Sequence, residues 1–239
     1  MAANGLDFDG IVLIPGMMSD ERAFAPQIAS MEQIYALEVL VCDREETMEA
    51  AAQRVLNTIP FARAAVVGHS MGGMVAMEMV RQQPGRVSRL ALLDTNHQAE
   101  SDERKTWRRA QMERVAQGKL KQVVQQELLP AYLTAQNLDG NIAQTVSAMA
   151  NSFNADVFAR QAKAVMGRAD ATATLRAYQG LSLILCGAQD EACPPERHRA
   201  MARLIERSEL VMVPKAAHFP MLENPEAVTS ALEWWLRAG

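Results

Sequence analysis

Short apolar runs alternate with amphipathic stretches at both ends of the chain. Ile11 to Ile14 and Ala36 to Val41 are brief and rich in β-branched or bulky residues, the first ended by Pro15-Gly16, and they predict buried strands. Thr47 to Ile59 places Met48, Ala51, Ala52, Val55 and Ile59 on one face at helical spacing, with Glu45 and Glu46 at its start, where the helix dipole favours acids. A strand through Ala64 to Val67 then runs into a helix from Met71 to Arg81, and a strand from Leu90 to Leu93 follows. Here the alternation stops. Residues 97–174 hold only amphipathic stretches, such as Lys119 to Leu129, Ile142 to Met149 and Val157 to Val165. It resumes with a strand at Leu181 to Cys186, a helix at Glu196 to Ile205, a strand at Glu209 to Val213 and a helix at Glu226 to Leu236. Continuous apolar strands alternating with helices predict an α/β fold: a mostly parallel central sheet with helices on both faces. The core is expected at 1–96 and 175–239, with 97–174 as an inserted all-helical lid over the C-terminal ends of the strands, where such sheets bind ligands.

Composition narrows the class. With 239 residues, 49% of them hydrophobic, the chain can build one large domain. The net charge of −4 and the lack of a basic cluster alternating with aromatics argue against a nucleic-acid partner. The three cysteines, Cys42, Cys186 and Cys193, lack metal-ligand spacing and fit a reducing compartment, so no metal or organic cofactor is expected. No signal-peptide pattern or membrane-length apolar run is present, which predicts a cytoplasmic protein acting on a small molecule. Between Ser101 and Asp170, ten lysines and arginines face seven acids. Such an excess is usually a solvated face; it would also suit an anionic acyl substrate or an acidic carrier protein, the less favoured reading.

The stretch "VVGHSMGG" (66–73) introduces chemistry. A strand that turns directly into a helix leaves Ser70 at a sharp corner, and Gly68 and Gly72 remove side chains on either side of it. This G-x-S-x-G spacing holds a serine hydroxyl in the open, just ahead of a helix N-terminus. A serine needs a base, and the base a carboxylate. Of four histidines, His218 in "VPKAAHFPMLENPEAV" lies between the last strand and the last helix, at the sheet edge that carries Ser70. His69 is read as packing on the sheet or pocket wall, and His97 and His198 as exposed. Two acids follow strands: Asp94 after "RLALLD" and Asp190 after "LSLILCGAQD". Chain order allows either. An oxyanion needs backbone donors, predicted as the N–H of Met71, directly after the serine, and that of Met17 in "LIPGMMSD", with Met18 as the second choice there. Met17, Met18, Met71 and Met74 are expected near an adaptable apolar pocket.

These motifs together resemble the α/β-hydrolase family over almost the whole chain: "LIPGMM" as the oxyanion loop, "GHSMGG" as the nucleophile elbow, "LILCGAQDEACPP" as the acid loop and "AAHFPMLENPEAV" as the histidine loop. "PG" stands where many relatives have His-Gly. The resemblance implies Asp190 as the acid, since relatives with this layout usually place it after the penultimate core strand. A segment, "FARQAKAVMGRADATATL", is similar to one in small bacterial esterases, including those acting on pimeloyl-carrier-protein methyl esters. The expected activity is ester or thioester hydrolysis through an acyl-enzyme. An enol-lactonase or C–C bond hydrolase on the same triad is the first alternative, and a ligand-binding protein without turnover the second.

Overall fold

The computed structural model describes residues 6–238. Its centre is a sheet of six parallel strands: β1 (Gly10–Ile14), β2 (Leu37–Val39), β3 (Ala64–His69), β4 (Val87–Leu93), β5 (Leu181–Gly187) and β6 (Ser208–Val213), in the spatial order β2-β1-β3-β4-β5-β6. Strands β1, β3 and β4 are buried along their whole length, as their apolar runs predict, while edge strands β2 and β6 are partly open. β4 begins earlier than its apolar run because Ser88 and Arg89 lie inside the sheet. Arg89 is buried there with its charge answered by Asp7 at 2.6 Å and a bond to the Trp235 carbonyl at 2.6 Å.

Helices α1 (Ala25–Met31), α2 (Met48–Thr58) and α3 (Met71–Gln82) belong to the first half of the core. Thr47 caps α2, its side chain accepting from the Ala50 amide at 3.1 Å. α3 is buried from Met71 through Val80, so it takes apolar and small residues on almost every side rather than an amphipathic pattern, Glu78 being the exception, with its charge answered by Arg81. Between β4 and β5 the chain is helical: α4 (Asp102–Ala116), α5 (Leu120–Val123), a π-helical stretch (Val124–Leu128), α6 (Leu129–Tyr132), α7 (Asn141–Ser152), α8 (Ala155–Gly167) and α9 (Thr172–Ala177). The core closes with α10 (Pro195–Leu204), a short α11 (Pro220–Glu223) and α12 (Pro225–Arg237). α2 packs on α3 and α1 on α12, which supplies the helical layers around the sheet.

The strand order fixes where a ligand can sit. From β1 the chain steps outward to β2, then returns to the other side of β1 as β3, and continues from there to β6. The loops leaving β1 and β3 therefore diverge, opening a crevice at the carboxyl edge of the sheet. Four non-glycine residues with positive φ follow strands along that edge: Met18 after β1, Ser70 after β3, Asp94 after β4 and Lys215 after β6. Each such conformation costs on the order of 1–3 kcal/mol, and such strain collects at functional sites.

Candidate active site

β3 ends at His69 and α3 begins at Met71, so one residue makes the corner. Ser70 does so at φ 52, ψ −116. Its amide donates to the Leu93 carbonyl at 2.9 Å, and its carbonyl accepts from the Thr95 hydroxyl at 2.6 Å. A Cβ on Gly68 would lie 2.4 Å from the Gly72 carbonyl oxygen, and one on Gly72 2.0 Å from that of Ile14. The motif glycines thus let α3 start in contact with the ends of β1 and β3.

The Ser70 Oγ lies 2.9 Å from His218 Nε2, and His218 Nδ1 lies 2.9 Å from Asp190 Oδ2. A carboxylate only accepts, so Nδ1–H donates to Asp190 and Nε2 is left to take the serine proton. Asp190 Oδ1 also accepts the amides of Ala192 at 2.8 Å and Cys193 at 3.0 Å. Burial works to raise the Asp190 pKa, but the His218 ring and the Cys193 amide outweigh it and hold the carboxyl below its ordinary value. His218 is fixed on three sides. Its amide donates to the Tyr132 carbonyl at 3.0 Å, its ring stacks on Tyr132 at 4.8 Å between centroids, and its carbonyl accepts from His69 Nε2 at 2.7 Å. His69 is buried, and burial beside His218 pushes its pKa down to about 3, so it stays a neutral donor.

Asp94, the other acid the sequence allows, does not reach the histidine. Its Oδ1 accepts from the Gly187 amide at 2.8 Å, while its fully buried Oδ2 has no hydrogen-bond partner. Burial, followed by the charge of Asp190, raises its pKa well above the ordinary value. Asp94 and Asp190 lie together with Cys186 in a cluster whose polar atoms are within 4.8 Å of one another. Asp190, Cys193 and His218 form a second such group. These are the residues that could approach a cation, but Asp190 already serves His218, and burial pushes both thiols up and keeps them protonated.

After β1 the chain turns at Pro15-Gly16 and brings Met17 beside the elbow; a Cβ on Gly16 would be 3.0 Å from that of Ser70. The Met18 amide is already engaged, donating to Gln161 Oε1 at 2.9 Å. Neither the Met17 nor the Met71 amide has an acceptor among the described residues, so both N–H groups are free to meet an incoming anion. A cavity of about 390 Å³ holds Ser70 and His218, together with Met17, Met71, Met74 and Tyr132.

Several expectations need correcting. Met18 and His69, read as pocket residues, do not line this cavity: Met18 turns into the core at 3% exposed and His69 lies behind the histidine loop. His198, read as exposed within a charged run, is fully buried, because it shares the inner face of α10 with Met201; its Nε2 accepts from the Thr95 amide at 3.0 Å. His97 is buried as well. Two supporting residues gave no sequence signal. Gln161 on α8 accepts from Met18 and donates to the Cys42 carbonyl at 2.8 Å, and Glu223 accepts from the Ala217 amide at 2.7 Å and the Thr134 amide at 2.8 Å.

A family model of the alpha/beta hydrolase fold matches residues 26–225. The chain belongs to that family. Among curated relatives, it is 24% identical to sn-1-specific diacylglycerol lipase ABHD11 of Mus musculus over 270 residues, covering 97% of this chain and 85% of that protein. It is 28% identical over 192 residues to a pimeloyl-acyl-carrier-protein methyl ester esterase of Neisseria meningitidis, covering 75% of this chain and 59% of the relative. Among solved structures, it superimposes with a TM-score of 0.85 on a thermophilic esterase from Thermogutta terrifontis solved with malate bound, at 28% identity over 99% of this chain and 96% of that one. The corner after β3 and the loops after β5 and β6 lie within the matched residues, and they bring Asp190 and His218 to Ser70. Among the described residues no helix is long and apolar enough to cross a membrane.

Proposed function

We propose that the protein hydrolyses a carboxylic ester or thioester through an acyl-enzyme on Ser70. The observation that carries this reading is the unbroken chain from Ser70 through His218 to Asp190, with 2.9 Å at both links. Ser70 Oγ attacks the carbonyl carbon while His218 Nε2 takes its proton, and Asp190 stabilises the imidazolium. The developing oxyanion is held by the Met17 and Met71 amides, a contribution of roughly 3–4 kcal/mol per donor in comparable sites. The proton on Nε2 passes to the leaving alcohol or thiol. Water, deprotonated by the same nitrogen, then attacks the acyl-enzyme and frees Ser70. The relatives named as esterases and a lipase support the ester class. The helices between β4 and β5 act as a lid in this reading, since Trp107, Leu128, Tyr132 and Val165 wall the cavity above Ser70.

A fluorophosphonate probe tests it. The protein should take up one equivalent by intact mass, and Ser70→Ala none. No uptake under conditions where a control esterase reacts, or full uptake by the variant, would overturn the reading. Steady-state assays on p-nitrophenyl esters, lactones and vinylogous diketones then separate ester hydrolysis from lactone opening and C–C cleavage on the same serine.

A further inference from the structure

Charge gathers on the wall of the cavity, from the helices between β4 and β5 and from the loop and helix after β5. Residues lining the cavity include four arginines, Arg104, Arg108, Arg168 and Arg197, and only two glutamates, Glu100 and Glu191. Three of the arginines are accounted for. Arg197 donates to Gln98 Oε1 at 2.6 Å, and Arg104 lies over the Trp107 ring at 5.1 Å. Arg168 is saturated, with Glu100 at 3.1 Å and the carbonyls of Gln98 and Val165 at 2.8 Å each.

Arg108 is different. It is 8% exposed, yet its guanidinium has few hydrogen-bond partners: Nε has none, Nη1 has only the Met17 sulfur at 3.6 Å, and Nη2 has Glu100 at 3.4 Å, while its carbon lies 5.8 Å from the centre of the Trp107 ring that Arg104 also covers. Glu100 is the same carboxylate that pairs with Arg168, so one negative charge is shared between two buried guanidiniums. A buried, underpaired cation is costly unless something else neutralises it. The contact with Met17 places this cation beside the loop whose amide faces the elbow, and both residues line the cavity that contains Ser70.

We propose that Arg108 is a carboxylate-binding, specificity-determining residue, and that the substrate is an ester bearing a carboxylate a few bonds from its scissile carbonyl. The proposal rests on the ester-hydrolase reading for the word ester, but not for the binding. A planar guanidinium with free donors matches a carboxylate in charge and in fork geometry, and binding such a group completes the neutralisation that Glu100 leaves half done. A neutral ester of the same shape leaves the cation as it is and gains nothing from it.

The test separates binding from turnover by using Ser70→Ala. Calorimetry compares the monomethyl esters of succinate, adipate and suberate with the corresponding dimethyl esters, which places the carboxylate on the acyl side. 4-Acetoxybutyrate against its methyl ester places it on the alcohol side. At least one acid should bind about tenfold or more tightly than its neutral counterpart, and Arg108→Met in the same background should remove that preference. Equal binding of acid and neutral ester in every pair, or a preference that survives Arg108→Met, would overturn the proposal. Should Arg108→Met fail to fold, Arg108→Lys decides: it keeps the charge without the fork and should cut the preference at least threefold, and an unchanged preference counts against Arg108. Fluorophosphonate labelling of Ser70 in the native protein is scored separately. Labelling without carboxylate preference refutes this inference alone, and carboxylate preference without labelling refutes the hydrolase reading alone.

Discussion

At the scale of single residues, the two aspartates show how neighbours divide a proton between chemically identical groups. Asp190 has His218 on one oxygen and two amides on the other, which favours the anion. Asp94 has one amide and an orphaned oxygen in full burial, with the Asp190 charge close by, which favours the protonated acid. Asp190→Asn presents an amide to His218, favours the wrong tautomer and should lower turnover at least a thousandfold, as the equivalent change does in a serine protease at about 10⁴. Asp94→Asn replaces a neutral acid by a neutral amide and should keep turnover within about tenfold. Measured kcat for the two variants decides the assignment, and the reverse pattern would move the acid to Asp94. The sequence alone could not separate them, because both follow strands at one edge of the sheet and chain order permits either. The elbow, by contrast, was legible from eight letters, since strand, serine and helix follow one another without a break there and Gly68 is demanded by the Gly72 backbone four residues on; the Gly72 contact with Ile14 is long-range. Glu100, Arg108, Arg168 and His198 were invisible for the opposite reason: charged and ionisable residues are mostly exposed, and only tertiary pairing reveals the exceptions.

At the scale of elements, the strands were found within a few residues and the four longer helices of the core, α2, α3, α10 and α12, within one or two, because strong period and caps are local signals; the short α1 and α11 gave no such signal and were missed. The segment between β4 and β5 was legible as helical but not in what it does. Val157 to Val165 reads from its pattern as a lid segment packed by Val157, Phe158, Ala162 and Val165. The same stretch carries Gln161, whose amide ties Met18 at φ 55 to Cys42 and so holds the loop that presents the Met17 amide. Removing that tie should therefore slow every ester, not only long ones. Gln161→Ala is expected to lower kcat on a small acetate and on an octanoate ester by a similar factor, on the order of 10–100, since a displacement near 1 Å at a reacting centre costs about that much. Assays on the two esters, with melting temperature as a folding control, check it. A loss confined to octanoate would make Gln161 a wall of the pocket rather than a support of the β1 loop.

At the scale of the whole molecule, burial of ionisable groups couples stability to pH, and the terms oppose one another. Burial pushes the pKa of His69 down to about 3 and that of His198 down to about 4, from an ordinary 6.5. Between roughly pH 6 and 4 the unfolded chain therefore binds a proton at each histidine that the folded chain does not, and stability falls as pH falls. His97, also lowered by burial, acts in the same direction. Asp94 has the opposite sign. Its folded pKa is raised above 3.8, so in this window the folded chain holds a proton that the unfolded chain has released, and its contribution is lost as pH rises. Each proton corresponds to about 1.4 kcal/mol per pH unit. Asp94→Asn should thus make the acid loss of stability steeper than in the native protein. His198→Gln, whose amide oxygen can still accept from Thr95, should make it shallower, by up to about 1.4 kcal/mol per pH unit. Urea unfolding at several pH values between 6 and 4 gives the three slopes. If Asp94→Asn leaves the slope unchanged, Asp94 is ionised in the folded state, and two adjacent buried carboxylates share no proton beneath Ser70.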